Sequence, residues 1–179
     1  MAAVALTGTP GTGKTTVAAR LGPSFRVVEV FELARQCGAA RRDGSGWVVD
    51  LAATARAWRE HRTPPADLVV GHVAHLLPIR DVIVLRCHPR ELVRRLGRLR
   101  RGTVVERAAN LVCEATDLIL VEAVSLGRRV WEVDTTGRTP EAVAREVRER
   151  IGRRGPPEYG RVDWLSDAWV GKHLLDYSR

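Results

Sequence analysis

Nine residues near the amino terminus, Gly8-Thr9-Pro10-Gly11-Thr12-Gly13-Lys14-Thr15-Thr16, have the types and spacing to hold a chain of phosphates. They satisfy G-x-x-x-x-G-K-[ST] in full. Glycines let the backbone curl so that successive N–H groups point at phosphate oxygens. Lys14 brings a compact charge to the β- and γ-phosphates, and the Thr15 hydroxyl can ligate Mg²⁺. Of the 29 Lys and Arg residues only Lys14 and Lys172 are lysine. A lysine that survives at that position indicates a need for an ammonium rather than a planar guanidinium. The chemistry implied is the binding of ATP-Mg²⁺.

Such a loop needs a strand before it and a helix after it. The apolar run Ala2–Thr7 reads as a buried strand, and a helix is expected from near Lys14 to the stop at Gly22-Pro23. That helix would turn its positive end to the phosphates. Further strands are predicted at Phe25–Val30, Leu68–Val70, Val82–Leu85 and Val130–Val133. Helices are predicted at Phe31–Cys37, Leu51–His61, Arg90–Arg101 and Pro140–Ile151. Arg41–Gly46 reads as a polar connection and Trp47–Val49 as a short extended piece. Val104–Ala123 reads as one helix whose Ala108, Leu111, Val112, Ala115, Leu118 and Ile119 share a face. Five strands alternating with helices imply an α/β fold with a five-stranded parallel sheet. Composition shifts after Gly152, which divides the chain into a core (1–152) and a tail (153–179) docked on it. His72 falls just past a strand, at the carboxyl edge where open α/β sheets bind ligands. It is either a catalytic-site residue or a histidine satisfied by backbone hydrogen bonds.

The formal net charge is +8 and the pI about 10.6. Two readings stand: a polyanionic partner, or a composition that replaces lysine with arginine throughout. In the segment Arg90–Arg101, Arg94, Arg95, Arg98 and Arg101 recur at helical spacing and would form one positive face able to meet a polyanion. No apolar run nears the ~20 residues a membrane crossing needs. The opening stretch is too short for a secretion signal. A soluble, cytoplasmic protein is expected. Cys37, Cys87 and Cys113 are widely spaced, so neither a disulfide framework nor a zinc site is expected.

The loop GTPGTGKTT resembles that of nucleoside monophosphate kinases. More narrowly, the chain is similar to the archaeal and eukaryotic-nuclear adenylate kinase family, the ribosome-associated CINAP-like isoenzyme. Val30-Phe31-Glu32-Leu33-Ala34-Arg35, Gly71-His72-Val73-Ala74-His75, Arg101-Gly102 with Asn110, Glu114–Ala123, Glu132–Thr136 and Gly160–Leu165 carry the likeness. It implies a monophosphate-binding segment at about 29–50 and a short zinc-free lid at about 100–110. Gly8, Gly11, Gly13, Lys14, Thr15, Thr16 and Arg101 would bind ATP, with Mg²⁺ on Thr15. Lys14, His72 and Arg101 would be catalytic. Glu32 and Arg35 would hold the acceptor monophosphate. The family carries an acid two positions before the histidine; here that position is Val70. Asp67 lies roughly 10 Å along the strand and alternates to the opposite face.

The resemblance implies reversible transfer of the ATP γ-phosphate to AMP or another NMP, with ATPase activity on the side. It also implies a role in small ribosomal subunit maturation beside a small-subunit ribosomal protein and rRNA. The alternative is an ATPase acting mainly as a ribosome assembly factor. A kinase of another small alcohol or acid on the same scaffold leaves Glu32-Leu33-Ala34-Arg35 unexplained.

Overall fold

The computed structural model describes residues 2–44, 46–98, 103–153 and 155–177. Its first half comprises β1 (Val4–Thr7), α1 (Lys14–Arg20), β2 (Val27–Glu29), α2 (Val30–Gln36), β3 (Ala40–Asp43), β4 (Gly46–Val49), α3 (Leu51–Arg59) and β5 (Leu68–Val70). There follow β6 (Asp81–Arg86), α4 (Pro89–Arg98), α5 (Val104–Ala115), α6 (Leu118–Ser125), β7 (Arg129–Asp134), α7 (Pro140–Arg153) and α8 (Ala168–Tyr177). The main sheet has five parallel strands in the order β2-β5-β1-β6-β7.

Every residue of β1 and β6 is buried, as central strands covered on both faces must be. Leu6, Val70, Leu85 and Val133 face α1 and α7, where Val17, Leu21, Val143 and Val147 cover them. Ala5, Val69, Val84 and Val130 point the other way, onto Leu33, Ala55, Leu120 and Ala123. This period-two alternation brings the start of α1 to the carboxyl ends of β1 and β5, the crevice where ligands reach such sheets.

Two expectations need revision. Residues 104–123 are not one helix: α5 ends at Ala115, α6 starts at Leu118, and Asp117 stands between at φ 56°. Leu111, Ala115 and Ile119 are buried as the periodicity requires, whereas Val112 and Leu118 are exposed. The cause of the break is tertiary. The Asp117 carboxylate is bonded to Arg86, and aspartate is among the few residues that accept a left-handed backbone. The polar stretch after α2 is also more than a connection. With the residues after it, it forms an antiparallel hairpin in which Ala40 faces Val49 and Asp43 faces Gly46. Trp47 meets Phe31 edge-on at 5.4 Å, and Arg42 lies 5.7 Å from the Trp47 ring centroid.

The tail runs along β7. Glu158 forms a parallel bridge with Trp131, and the Trp131 indole N–H donates to the Pro156 carbonyl at 2.9 Å. Trp164 meets the His88 ring edge-on at 4.9 Å, and α8 packs on α4 and α5. Among the described residues no helix is long and apolar enough to cross a membrane.

Candidate functional site

Between β1 and α1 the backbone passes Gly8, Gly11 and Gly13 at φ 135°, 97° and 102°, a region side chains rarely permit. Space forbids a side chain at two of them. A Cβ on Gly8 would stand 2.3 Å from the Leu85 carbonyl oxygen, and one on Gly11 would stand 2.8 Å from Leu92 Cδ1. The loop is pinned from within: Thr12 Oγ1 donates to the Thr9 carbonyl at 2.9 Å, and Thr9 Oγ1 donates to Glu114 at 2.6 Å. Lys14 Nζ donates to the Gly8 and Thr9 carbonyls at 2.7 and 3.0 Å. Burial pushes its pKa down to about 8, against the opposing pull of Glu114 and Cys113. Phosphates beside it would raise that pKa again.

Gly11, Gly13, Lys14, Thr15 and Thr16 form one wall of a cavity of about 900 Å³; Gly8 lies behind them against β6. His72, just past β5, lines the same cavity. Burial, followed by the Lys14 and His75 charges, lowers its pKa and favours a neutral ring at pH 7. Arg95, Arg98 and Arg138 line the cavity as well. Arg95 is anchored by the Thr135 carbonyl at 2.9 Å and by Glu91 at 3.2 Å. The motif reading missed these three cations as site groups; for Arg95 and Arg98 the signal was the arginine spacing along α4, read as an outward face, whereas Arg138 lies between β7 and α7, outside that spacing. Arg94, on the same helix, does not line the cavity; it is exposed and paired with Glu91 at 2.7 Å. Arg101 lies outside the described residues. Glu32 and Arg35 sit together on α2 but do not line the cavity. They pair with each other at 2.7 and 2.8 Å, and Arg35 first, then Gln36, holds the Glu32 carboxyl down to about 2.

The cavity also offers hard oxygen donors: the exposed Thr15 and Thr16 hydroxyls and the Glu29 carboxylate. No group of three or more His, Cys, Asp or Glu able to hold a metal occurs among the described residues. That set fits Mg²⁺, which is commonly held by one or two protein oxygens together with substrate phosphates.

Beneath the loop is a buried ionic hub. Arg86, at the end of β6, is 2% exposed. It donates to Glu114 at 2.8 Å, to Glu132 at 2.6 Å and to Asp117. Glu114 in turn accepts from Thr9, from the Cys87 backbone at 3.0 Å and from the Trp164 indole at 3.3 Å. One carboxylate therefore ties the phosphate loop, β6, α5 and the tail together.

A second network sits under His72. His75 is 1% exposed, with Nε2 2.9 Å from Glu122 and Nδ1 3.1 Å from the Thr7 hydroxyl. The same hydroxyl lies 3.1 Å from the His72 carbonyl oxygen. Burial lowers the His75 pKa below its ordinary 6.5, although Glu122 pulls the other way. A histidine with a depressed folded pKa contributes stability above its unfolded pKa and loses it as pH falls below that value. Melting temperature should therefore drop between pH 7.5 and pH 5, with His72 contributing in the same window. His75→Gln, which has no charge to gain, should show a smaller drop. An equal drop in both proteins would show that His75 does not titrate as described.

Comparison with known proteins agrees with this geometry. Residues 4–117 match the AAA domain family. A Thermococcus onnurineus protein described as "Putative adenylate kinase" is 37% identical over 166 residues, covering 92% of each chain. A protein so described from Archaeoglobus fulgidus is 39% identical over 173 residues, again 92% of each. One from Halobacterium salinarum is 39% identical over 169 residues, 90% of this chain and 96% of its own. Among solved structures, a gluconokinase from Sinorhizobium meliloti shares the fold with a TM-score of 0.51 at 15% identity, over 86% of this chain and 93% of its own. With its phosphate loop intact and the likeness running nearly end to end, the chain belongs to the AAA domain family and to one family with these archaeal proteins.

Proposed function

We propose that the chain is a nucleoside monophosphate kinase of the CINAP-like adenylate kinase type, transferring the γ-phosphoryl group of ATP to AMP in preference to other NMPs. The observation that supports it best is the cavity itself. Lys14, Thr15 and Thr16 stand on one wall, with His72, Arg95, Arg98 and Arg138 around it, in a chain whose relatives carry an adenylate kinase description. Phosphoryl transfer is largely positioning and charge neutralisation. Lys14 and the loop N–H groups hold the β- and γ-phosphates, and the arginines balance charge on the transferred group. Mg²⁺, held by Thr15 with the phosphates, would supply further charge neutralisation. His72, which lines the same cavity, would orient a water or a phosphate oxygen. Glu32 and Arg35 are assigned to the acceptor, which requires α2 to approach the cavity when the monophosphate binds.

The test follows ADP formed from ATP-Mg²⁺ with and without AMP. AMP-dependent ADP well above the ATP-only rate is the expected result. A rate indifferent to every NMP would replace the kinase by an ATPase acting in small-subunit assembly. That second reading draws on the net charge of +8, but Arg95 and Arg98, expected on its rRNA face, wall the nucleotide cavity.

A further inference from the structure

The carboxylate expected at Val70 has a substitute on the neighbouring strand. Glu29 ends β2, and the parallel register pairs it with Val70. Hydrogen-bonded strands lie roughly 4.8 Å apart, so the two side chains occupy adjacent positions at the same height. They also share a face. Val70 packs with Val17 and Ala18 of α1, and Glu29 borders a notch of about 320 Å³ together with Thr15, Ala18 and Val70. Glu29 thus borders the same notch as Thr15, in the first turn of the phosphate-binding helix.

Nothing in the fold accounts for an acid there. Glu29 is the N-cap residue of α2, yet its side chain makes no capping hydrogen bond, and glutamate is not among the preferred caps. It is exposed and makes no side-chain hydrogen bond or ion pair among the described residues. The other acid lining the cavity, Glu106, is occupied in a capping box with Thr103. A lone carboxylate facing a polyphosphate is repelled unless a cation lies between them. Lys14 cannot serve, since its ammonium is held by the Gly8 and Thr9 carbonyls on the loop side.

Resting on the nucleotide reading of this cavity, the geometry points to Glu29 as the residue that orients the nucleotide's divalent cation, through water in the cation's coordination shell. Glu29 takes the part that an acid at position 70 would play, and Val70 is free to be apolar because of it. Asp67 cannot compete: Arg26 holds it at 2.9 and 3.0 Å away from the cavity.

The experiment titrates Mn²⁺ into the protein–ADP complex and reads free Mn²⁺ by electron paramagnetic resonance. Outer-shell partners typically alter metal affinity by at least tenfold, so Glu29→Gln should weaken Mn²⁺ binding on the order of tenfold. ADP binding without metal should be unchanged or tighter, because a negative charge has been removed. Val70→Asp introduced into Glu29→Gln should restore Mn²⁺ affinity. Unchanged Mn²⁺ affinity in Glu29→Gln would overturn the inference. So would a parallel loss of metal-free ADP binding, or a change confined to the KM for AMP. Failure of the unaltered protein to bind ADP at all would instead overturn the nucleotide reading beneath it.

Discussion

Lys14→Ala should lower kcat/KM for ADP formation by at least ~100-fold, the scale of losing one preorganised charge at a transferred group, while leaving the urea midpoint close to that of the unaltered protein. The two halves have separate physical grounds. The Lys14 ammonium is partly desolvated, which pushes its pKa down to about 8, and it makes two hydrogen bonds to loop carbonyls. Holding a charge in that position costs about as much as those bonds return, so folding loses little when it goes. Catalysis loses a great deal, because among the described residues Lys14 is the one cation that the phosphate loop itself brings to the cavity. Lys14→Arg should be nearly as impaired. A guanidinium fork cannot occupy the space between Gly8 and Thr9 that a single nitrogen fills, and Leu92 and Leu96 pack so near Gly11 that even an added Cβ would clash, which leaves the loop little room to widen. Steady-state kinetics beside urea denaturation for the three proteins would decide it. Unimpaired turnover in the arginine variant would remove Lys14 from the transferred phosphate.

A pH measurement on the unaltered protein complements those variants. Phosphates raise the Lys14 pKa, so the complex binds more protons than the free protein near pH 8. ATP binding should take up protons there, and affinity should fall as pH rises through 8. Calorimetry in buffers of different ionisation enthalpy reads the uptake directly, and Lys14→Ala should abolish it.

The phosphate loop was readable in the sequence because its constraints are local. Gly8 and Gly11 are demanded by backbone angles and by contacts no Cβ would survive, and one lysine stands out in an arginine-rich chain. The five parallel strands were readable because burial on both faces forces short continuous apolar runs. What escaped was tertiary. The hairpin β3–β4 is exposed along most of its length, so its side chains carry no alternation of buried and exposed that could mark it. The break at Asp117 was hidden because α5 and α6 bury residues on a common side, and only the Arg86 contact reveals why the backbone turns. Arg95 and Arg98 were visible as charges, but nothing local says which way α4 faces. Glu29 is the clearest case. Its relation to Val70 exists only across a strand pair separated by α2, β3, β4 and α3.

Arg86→Met should destabilise the fold by about 3–5 kcal/mol, the range found when one partner of a buried ion pair is removed. Three acids meet this guanidinium, and Glu114 and Glu132 have side chains only 2% and 3% exposed. Without Arg86 they must stay charged and unpaired or take up protons. The effect should not be confined to stability. Glu114 also holds Thr9 in the phosphate loop and Trp164 in the tail, and Glu132 accepts from the Arg161 and Val162 backbone at 3.0 and 3.3 Å. The tail and the loop should therefore loosen together. Hydrogen exchange would show it as lost protection both at the loop and around residues 161–164. If Arg86→Met does not fold, Glu132→Gln gives the measurement at lower cost, since it keeps a hydrogen-bonding side chain and removes one charge. It should lower the urea midpoint and release the tail while leaving Thr9 on Glu114. A stability loss of under about 0.5 kcal/mol in Glu132→Gln, within the scatter of ordinary surface substitutions, would mean that the hub does not hold the tail. The contact of Trp164 with His88 at 4.9 Å would then have to hold it instead.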